Sequence, residues 1–172
     1  MNVETLITRA LSAIDKTTRY ESPGVMPAFA ANSWPAAAKN DCSGFVNWCL
    51  RFSQNRKVDH PLYHKVNGGW FETSAIHADG ISTVGFFTQI QQVKPGALVV
   101  YPDFVGQDGK NHDGHIGIVL EGSGSGVEGI NKIIHCSFGN WKATGDAIQI
   151  TDPQVWLRKS TSIIVWCEGL EE

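Results

Sequence analysis

The sequence predicts an α+β protein in which helices come first and an antiparallel sheet follows. Apolar residues recur at helical spacing near the N-terminus, whereas short runs of branched and aromatic residues, separated by turn signals, fill the second half. These runs are not separated by long amphipathic segments, as they would be in alternating βα units. The fold class therefore follows from the order of the two patterns.

The composition is that of a globular protein with one domain. The chain has 172 residues, of which 42% are hydrophobic and 18% charged, enough for one compact core and too few for two. Residues 1–172 are therefore expected to form a single domain. The net charge of −3 gives no electrostatic reason to expect nucleic acid or a membrane as partner.

The helical patterns lie in the first third of the chain. The spacing of apolar residues predicts a first helix over residues 3–16, followed by a Pro- and Ala-rich loop over 21–38. Asn40 or Asp41 is expected to cap a second helix that begins near Cys42. Residues 56–82 are predicted to be loop with short helical pieces, and residues 84–92 a further short helix.

Five strands are predicted in the second half, separated by glycine-rich turns. Pro95 and Gly96 introduce the first of them. A turn of helix capped by Thr151 or Asp152, with Pro153 at its first position, is expected between the last two. The predicted strands span residues 97–101, 115–120, 132–136, 147–150 and 162–167.

The N-terminus does not resemble a secretory signal. Glu4, Arg9, Asp15 and Lys16 interrupt every apolar run there, and no other stretch approaches membrane-spanning length. The chain is therefore expected to be cytoplasmic as synthesised. An activity outside the cell would need delivery by a secretion system or by lysis.

The motif Asp41-Cys42-Ser43-Gly44-Phe45-Val46 places a cysteine where a loop meets an apolar helix. Unpaired N–H groups and the helix dipole favour a thiolate at this position, so Cys42 is the candidate nucleophile. Its own N–H group is a candidate oxyanion donor, and Gly44 leaves room beside the sulfur. Cys49 and Cys167 are expected to be buried structural thiols.

Two histidines are candidates for the base that a thiol nucleophile needs. His115 begins one predicted strand and His135 lies within the next. If these strands are adjacent and antiparallel, the rings become cross-strand neighbours, and one ring orients the other. The remaining histidines are expected to be solvated: His60, His64, His77 and His112.

A metal site is the alternative interpretation of the same residue types. Cysteine, histidine and aspartate ligate zinc, but the sequence contains no compact ligand motif. A cysteine at a helix start fits a nucleophile better, so neither a metal nor a cofactor is expected. The candidate ligands for this alternative are Cys42, His112, Asp113, His115 and His135.

The successive motifs DCSGFV, PGALVVY, HIGIVL and IIHCS resemble those of the NlpC-type cell-wall cysteine peptidases, over about residues 41–137. The resemblance implies a papain-like fold, in which the nucleophile at a helix N-terminus packs on a small antiparallel sheet. The chain has Ala97 where the family often has an aspartate. Many members carry a tyrosine shortly before a Trp-Gly-Gly triplet ahead of the cysteine. Tyr20 is the candidate for this tyrosine, although the loop that follows it is longer here and lacks the triplet.

The resemblance implies hydrolysis of amide bonds in peptidoglycan stem peptides or muropeptides through an acyl-enzyme. Cys42 is then the nucleophile, His115 the base and His135 the orienting third residue of a Cys-His-His triad. The residues expected to contact substrate are Tyr20, Asp41 and Ser43. An immunity or inhibitor protein is a further expected partner if the enzyme is a delivered antibacterial amidase or a phage lysis amidase.

Two other functions remain open from the sequence. One is a thiol acyltransferase or amidase that acts on an amide outside peptidoglycan, and the other is a binding module that keeps the fold without catalysis. The presence of Cys42, His115 and His135 together favours an enzyme over a binding module. Related lipid acyltransferases usually carry the histidine before the cysteine, whereas here it follows.

Overall fold

The computed structural model describes residues 1–25, 31–52, 71–82 and 85–171. Within these ranges the chain forms five α-helices and an antiparallel sheet of six strands. This confirms the mixed, α+β character that the sequence predicts. No helix in the described ranges is long and apolar enough to cross a membrane.

Three helices precede the main sheet, and each begins at a polar N-cap. They are α1 (Val3–Leu11), α2 (Cys42–Cys49) and α3 (Thr73–Gly80), capped by Asn2, Asp41 and Glu72. The first helix is shorter than the predicted 3–16. Its end coincides with a bond from the Ser12 hydroxyl to the Arg9 carbonyl at 2.7 Å, and Asp15 and Thr17 then take positive φ angles that no helix can contain.

Two two-residue strands lie between α1 and α2. They are β1 (Arg19–Tyr20) and β2 (Lys39–Asn40), which pair in parallel. Farther along, β5 (Phe104–Val105) and β6 (Asn111–His112) form a small hairpin.

The main sheet has the strand order β3-β10-β4-β7-β8-β9. Its strands are β3 (Phe87–Ile90), β4 (Leu98–Tyr101), β7 (His115–Gly122), β8 (Ile130–Cys136), β9 (Ile148–Thr151) and β10 (Ile163–Cys167). The five predicted strands are confirmed, with ends that move by no more than two residues. Two short helices, α4 (Phe138–Thr144) and α5 (Gln154–Leu157), flank β9.

The predicted helix over residues 84–92 is wrong. The described part of this segment contains β3, an edge strand paired antiparallel with β10. Phe87 is fully buried and packs edge-on against Phe71 at 5.4 Å between ring centroids. Aromatic packing and ladder hydrogen bonds therefore outweigh the weak helical pattern. Of the predicted loop over residues 56–82, residues 56–70 lie outside the described residues.

The sheet separates two apolar clusters. The larger lies between the sheet and α1 and α2 and includes Phe45, Val46, Ile116 and Ile118. The smaller lies on the opposite face and includes Val99, Val119 and Trp156 of α5. Alternation along β7 thus sends even-numbered side chains toward α2 and odd-numbered ones toward α5.

Candidate active site

The Asp41 carboxylate fixes the start of α2. Its Oδ1 accepts the Gly44 N–H at 2.7 Å and the Ser43 hydroxyl at 3.0 Å, and its Oδ2 accepts the Gly24 N–H at 3.1 Å. One buried side chain therefore holds both the first turn of the helix and the loop in front of it. Cys42 is the first residue of this turn, as the sequence predicts.

The backbone amide of Ile116, on β7, lies within reach of the Cys42 sulfur. The Val119 N–H donates to the Ala97 carbonyl at 2.8 Å and therefore points toward β4. Because successive N–H groups of a strand point to opposite sides, the Ile116 N–H points toward β8. The β7–β8 register includes Ile118 paired with Ile134 but no pair at Ile116. The Ile116 amide instead faces Cys42, where it lowers the pKa of the thiol.

The surroundings of Cys42 favour the neutral thiol. Burial and, after it, the Asp41 carboxylate raise its pKa, whereas backbone amides, that of Ile116 foremost, lower it, and the net result is a pKa of about 12. The residue is 6% exposed. The helix N-terminus therefore does not by itself produce a thiolate in the free protein.

The two candidate histidines form a hydrogen-bonded pair. Nε2 of His115 lies 2.7 Å from Nδ1 of His135, and Nε2 of His135 lies 3.0 Å from Oγ1 of Thr151. The predicted condition is met, because β7 and β8 are adjacent and antiparallel. Gly117 allows the close packing of β8 here, since a Cβ there would overlap Cγ2 of Ile133 and stand 3.1 Å from Cβ of His135.

Trp156 covers the histidine pair from the α5 side. Its ring stacks on His115 at 5.0 Å between centroids with an interplanar angle of 24°, and it meets His135 edge-on at 5.1 Å. Stacking against an indole holds the imidazole planes and keeps water from the faces that the indole covers. His115 is 8% exposed and His135 is 2% exposed.

Burial keeps both imidazoles neutral. It lowers the pKa of His115 well below the ordinary value, with the charge of His135 as a second cause. It lowers the pKa of His135 to about 4. At neutral pH the pair therefore consists of two uncharged rings, each with one N–H and one lone pair.

The thiol and the imidazoles line two different clefts. The thiol cleft, of about 240 Å³, is lined by Cys42 and by Tyr20, Asp41 and Ser43, the three residues predicted to contact substrate. The imidazole cleft, of about 450 Å³, is lined by both histidines. Among the described residues no hydrogen bond joins Cys42 to His115, the predicted nucleophile and base.

Tyr20 stands in the thiol cleft as a neutral phenol. Burial raises its pKa above the ordinary range, and the charges of Cys42 and Asp41 add to this effect. Its ring packs edge-on against Phe138 at 6.1 Å. The side chain is therefore held beside the thiol as a hydrogen-bond donor that keeps its proton.

Sequence reasoning missed several residues of the site. Thr151 was expected only as a cap for the following helix, and Trp156, Asn140 and Gly117 were not singled out. The HIGIVL motif contains Gly117, but the role of this glycine depends on which side chain of the neighbouring strand lies opposite it. The contacts of Thr151 and Trp156 depend on the position of β9 and α5 beside the histidines, which no local pattern specifies.

The other histidines lie away from this pair where they are described. His112 is exposed and bonds Asp108 at 3.0 Å, and His77 bonds the Thr161 carbonyl at 2.8 Å. His60 and His64 lie outside the described residues. Within the parts of the chain that are described, no group of three or more His, Cys, Asp or Glu side chains is arranged to hold a metal ion.

No protein-family model matches this chain, and no curated protein matches it.

Proposed function

We propose that the protein is a cysteine amidase or endopeptidase that cleaves amide bonds in peptidoglycan stem peptides. One observation carries the proposal: the backbone amide of Ile116, the residue that follows His115, lies close enough to the Cys42 sulfur to lower its pKa, while the His115 ring is bonded to His135. The order of thiol, first imidazole and second imidazole agrees with the resemblance to NlpC-type peptidases. The proposal includes a papain-like arrangement of α2 on the sheet.

The proposed reaction begins from a neutral thiol and a neutral imidazole. The Cys42 sulfur attacks the carbonyl carbon of the scissile amide, and its proton passes to Nδ1 of His115, because Nε2 is engaged with His135. The C–N bond then breaks, and the amine leaves with this proton. A thioester on Cys42 remains.

Water completes the cycle. It attacks the thioester carbon while His115 takes one of its protons, and the carboxylic acid leaves as this proton returns to the sulfur. The Cys42 N–H group at the first turn of α2 is the proposed oxyanion donor, with Tyr20 as a second donor from the same cleft. His135 accepts the Nε2–H of His115 and stabilises its charged form.

The charge of the thiol cleft bears on the substrate. Its described lining includes four carboxylates and neither lysine nor arginine. Such a cleft has a negative potential and favours a substrate with a free ammonium group near the scissile bond. Stem peptides with an unblocked amine fit this requirement. The four carboxylates belong to Asp41, Glu72, Asp103 and Asp113.

Digestion of purified sacculi and soluble muropeptides, read by mass spectrometry, tests the proposal. We expect products that gain one water across an amide of the stem peptide with the wild-type protein and none with Cys42→Ala. An added amine that captures the acyl group in preference to water would instead indicate an acyltransferase. Intact stem peptides with correctly folded wild-type protein would refute the proposal.

The site of action and the partners are part of the same proposal. A peptidoglycan substrate requires delivery to the cell wall, by a secretion system or by lysis, and an immunity or inhibitor protein would protect a producing cell. Co-purification with a candidate inhibitor, followed by loss of muropeptide hydrolysis, would identify such a partner.

A further inference from the structure

We infer that Thr151 sets the direction of the proton relay through the two histidines, and so acts as a positioning residue for His115. The inference rests on the proposed function for its catalytic consequence. It rests on hydrogen-bond directions for its structural part. Thr151 is the last residue of β9, at the edge of the main sheet, and is half-buried beside His135.

The direction follows from the one proton of the Thr151 hydroxyl. Oγ1 of Thr151 donates to the Asp152 carbonyl at 3.0 Å, so toward His135 it acts as an acceptor. His135 must then carry its proton on Nε2 and present a lone pair on Nδ1. His115 must in turn carry its proton on Nε2, which leaves the lone pair on its Nδ1.

This tautomer is the one that the proposed reaction needs. A lone pair on Nδ1 of His115 accepts the thiol proton, whereas a proton there would block the transfer. The neutral pair has one other arrangement, in which both protons sit on Nδ1 and His135 accepts at Nε2. The two arrangements differ in which nitrogen of His115 is basic.

Asn140 is positioned to favour the reversed arrangement. Its Nδ2 lies 3.4 Å from Nε2 of His135, although the same group also donates to the Ala147 carbonyl at 3.2 Å and approaches the His135 carbonyl at 3.4 Å. The 3.0 Å contact to Thr151 is the shorter of the two at Nε2. Thr151 and Asn140 therefore favour opposite tautomers of His135, and the shorter contact with Thr151 decides the tautomer in the wild-type protein.

Thr151→Val removes the acceptor and keeps the shape of the side chain. We expect the reversed arrangement to gain population and kcat/KM on a stem-peptide substrate to fall roughly tenfold, as the loss of one ordinary hydrogen bond implies. Thr151→Ser keeps the hydroxyl and should therefore keep both the wild-type tautomer and the wild-type kcat/KM. Thr88→Val is the matched control, because Thr88 is exposed on β3 at the opposite edge of the same sheet.

The readout independent of activity is the ¹⁵N NMR spectrum of the imidazoles at neutral pH. Wild type, Thr151→Ser and Thr88→Val should show protonated Nε2 on both rings, and Thr151→Val should show signal from protonated Nδ1. Lost activity without a change of tautomer would overturn the inference. A reversed tautomer in a protein whose wild type hydrolyses no stem peptide would overturn the proposed function and uphold the role of Thr151.

Discussion

The thiol cleft and the imidazole cleft both lie beside the first residues of β7, yet the described lining of the first has four carboxylates and that of the second has one, Asp152. Carboxylates surround Cys42, whereas the imidazole cleft places two uncharged rings beside an indole. Both settings suppress ionisation, because burial raises the pKa of the thiol and lowers that of each histidine. The free protein therefore holds a neutral thiol and a neutral base.

This difference indicates where reactivity would come from. A resting thiolate–imidazolium pair would be exposed to adventitious oxidants and alkylating agents. When the thiol and the base are both neutral, proton transfer from Cys42 requires a bound substrate that displaces water and brings its carbonyl carbon to the sulfur. The thiol cleft and the imidazole cleft are thus expected to contribute separately to catalysis, and substitutions in each should distinguish their effects.

The largest expected effect comes from removal of the thiol. Cys42→Ala should lower muropeptide hydrolysis at least about a thousandfold, since a nucleophile works as a unit with its base. The matched control is Cys49→Ala at the other end of α2, where a fully buried thiol contacts the core. That variant should lose stability and keep activity, as measured by thermal unfolding and by turnover on the same substrate. Near-native turnover by Cys42→Ala would eliminate the thiol mechanism.

The two histidines should differ in their effects, although they share a hydrogen bond. His115→Ala should be nearly as damaging as Cys42→Ala, because the proton has no other acceptor in the proposed reaction. His135→Gln should retain measurable activity, since an amide oxygen can still accept the Nε2–H of His115. Kinetics on one stem peptide compare the variants. Residual activity in His115→Gln with none in His135→Gln would reverse the assigned roles.

How much of this site the sequence predicts depends on whether the signal is local. Asp41 as a cap, Cys42 at the first turn and the strand starting at His115 follow from neighbours in the chain, and each is confirmed. The histidine pairing needed only the assumption that consecutive strands pair, which the hairpin between β7 and β8 satisfies.

The missed parts depend on long-range packing. The contact of Thr151 with His135 requires the β8–β9 register, and the cover by Trp156 requires α5 to fold back over the sheet. The strand β3 pairs with β10, which lies at the far end of the chain, so its own residues did not reveal it. The separation of thiol and imidazole into two clefts likewise follows from which face each side chain takes.

The burial of neutral His135 should make folding stability sensitive to acid. Its pKa is about 4 in the folded protein and about 6.5 when unfolded, so the unfolded chain binds more protons between these values. Stability is therefore expected to be complete above pH 6.5 and to fall as the pH drops toward 4, by roughly 3 kcal/mol for this group.

Urea unfolding at pH 7 and pH 4 measures this loss. His135→Gln should lose less stability between the two pH values than wild type does, whereas His112→Gln, at an exposed position, should follow wild type. An equal loss in wild type and His135→Gln would mean that His135 is not held neutral by burial.

The smallest effects concern the reactivity of the Cys42 thiol and its control by the carboxylates of the thiol cleft. Cys42 should be alkylated faster than Cys49, Cys136 and Cys167, because all four are buried but Cys42 is the most exposed of them, at 6%. Brief iodoacetamide treatment and peptide mapping measure this order. Equal labelling of all four thiols in the folded protein would contradict it.

Asp41→Asn should then accelerate the alkylation of Cys42 about threefold to tenfold at pH 8 to 9. Asparagine remains a good N-cap, while the loss of the carboxylate charge lowers the pKa of the thiol and raises its thiolate fraction. Asp113→Asn removes an equal charge from the lining of the same cleft but not from the first turn of α2, so its effect should be smaller. If the two variants react alike, the general potential of the cleft, and not the cap, holds Cys42 in its neutral form. Unchanged alkylation rates in both variants would mean that burial alone raises the pKa of Cys42 and that the carboxylates of the thiol cleft do not control the nucleophile.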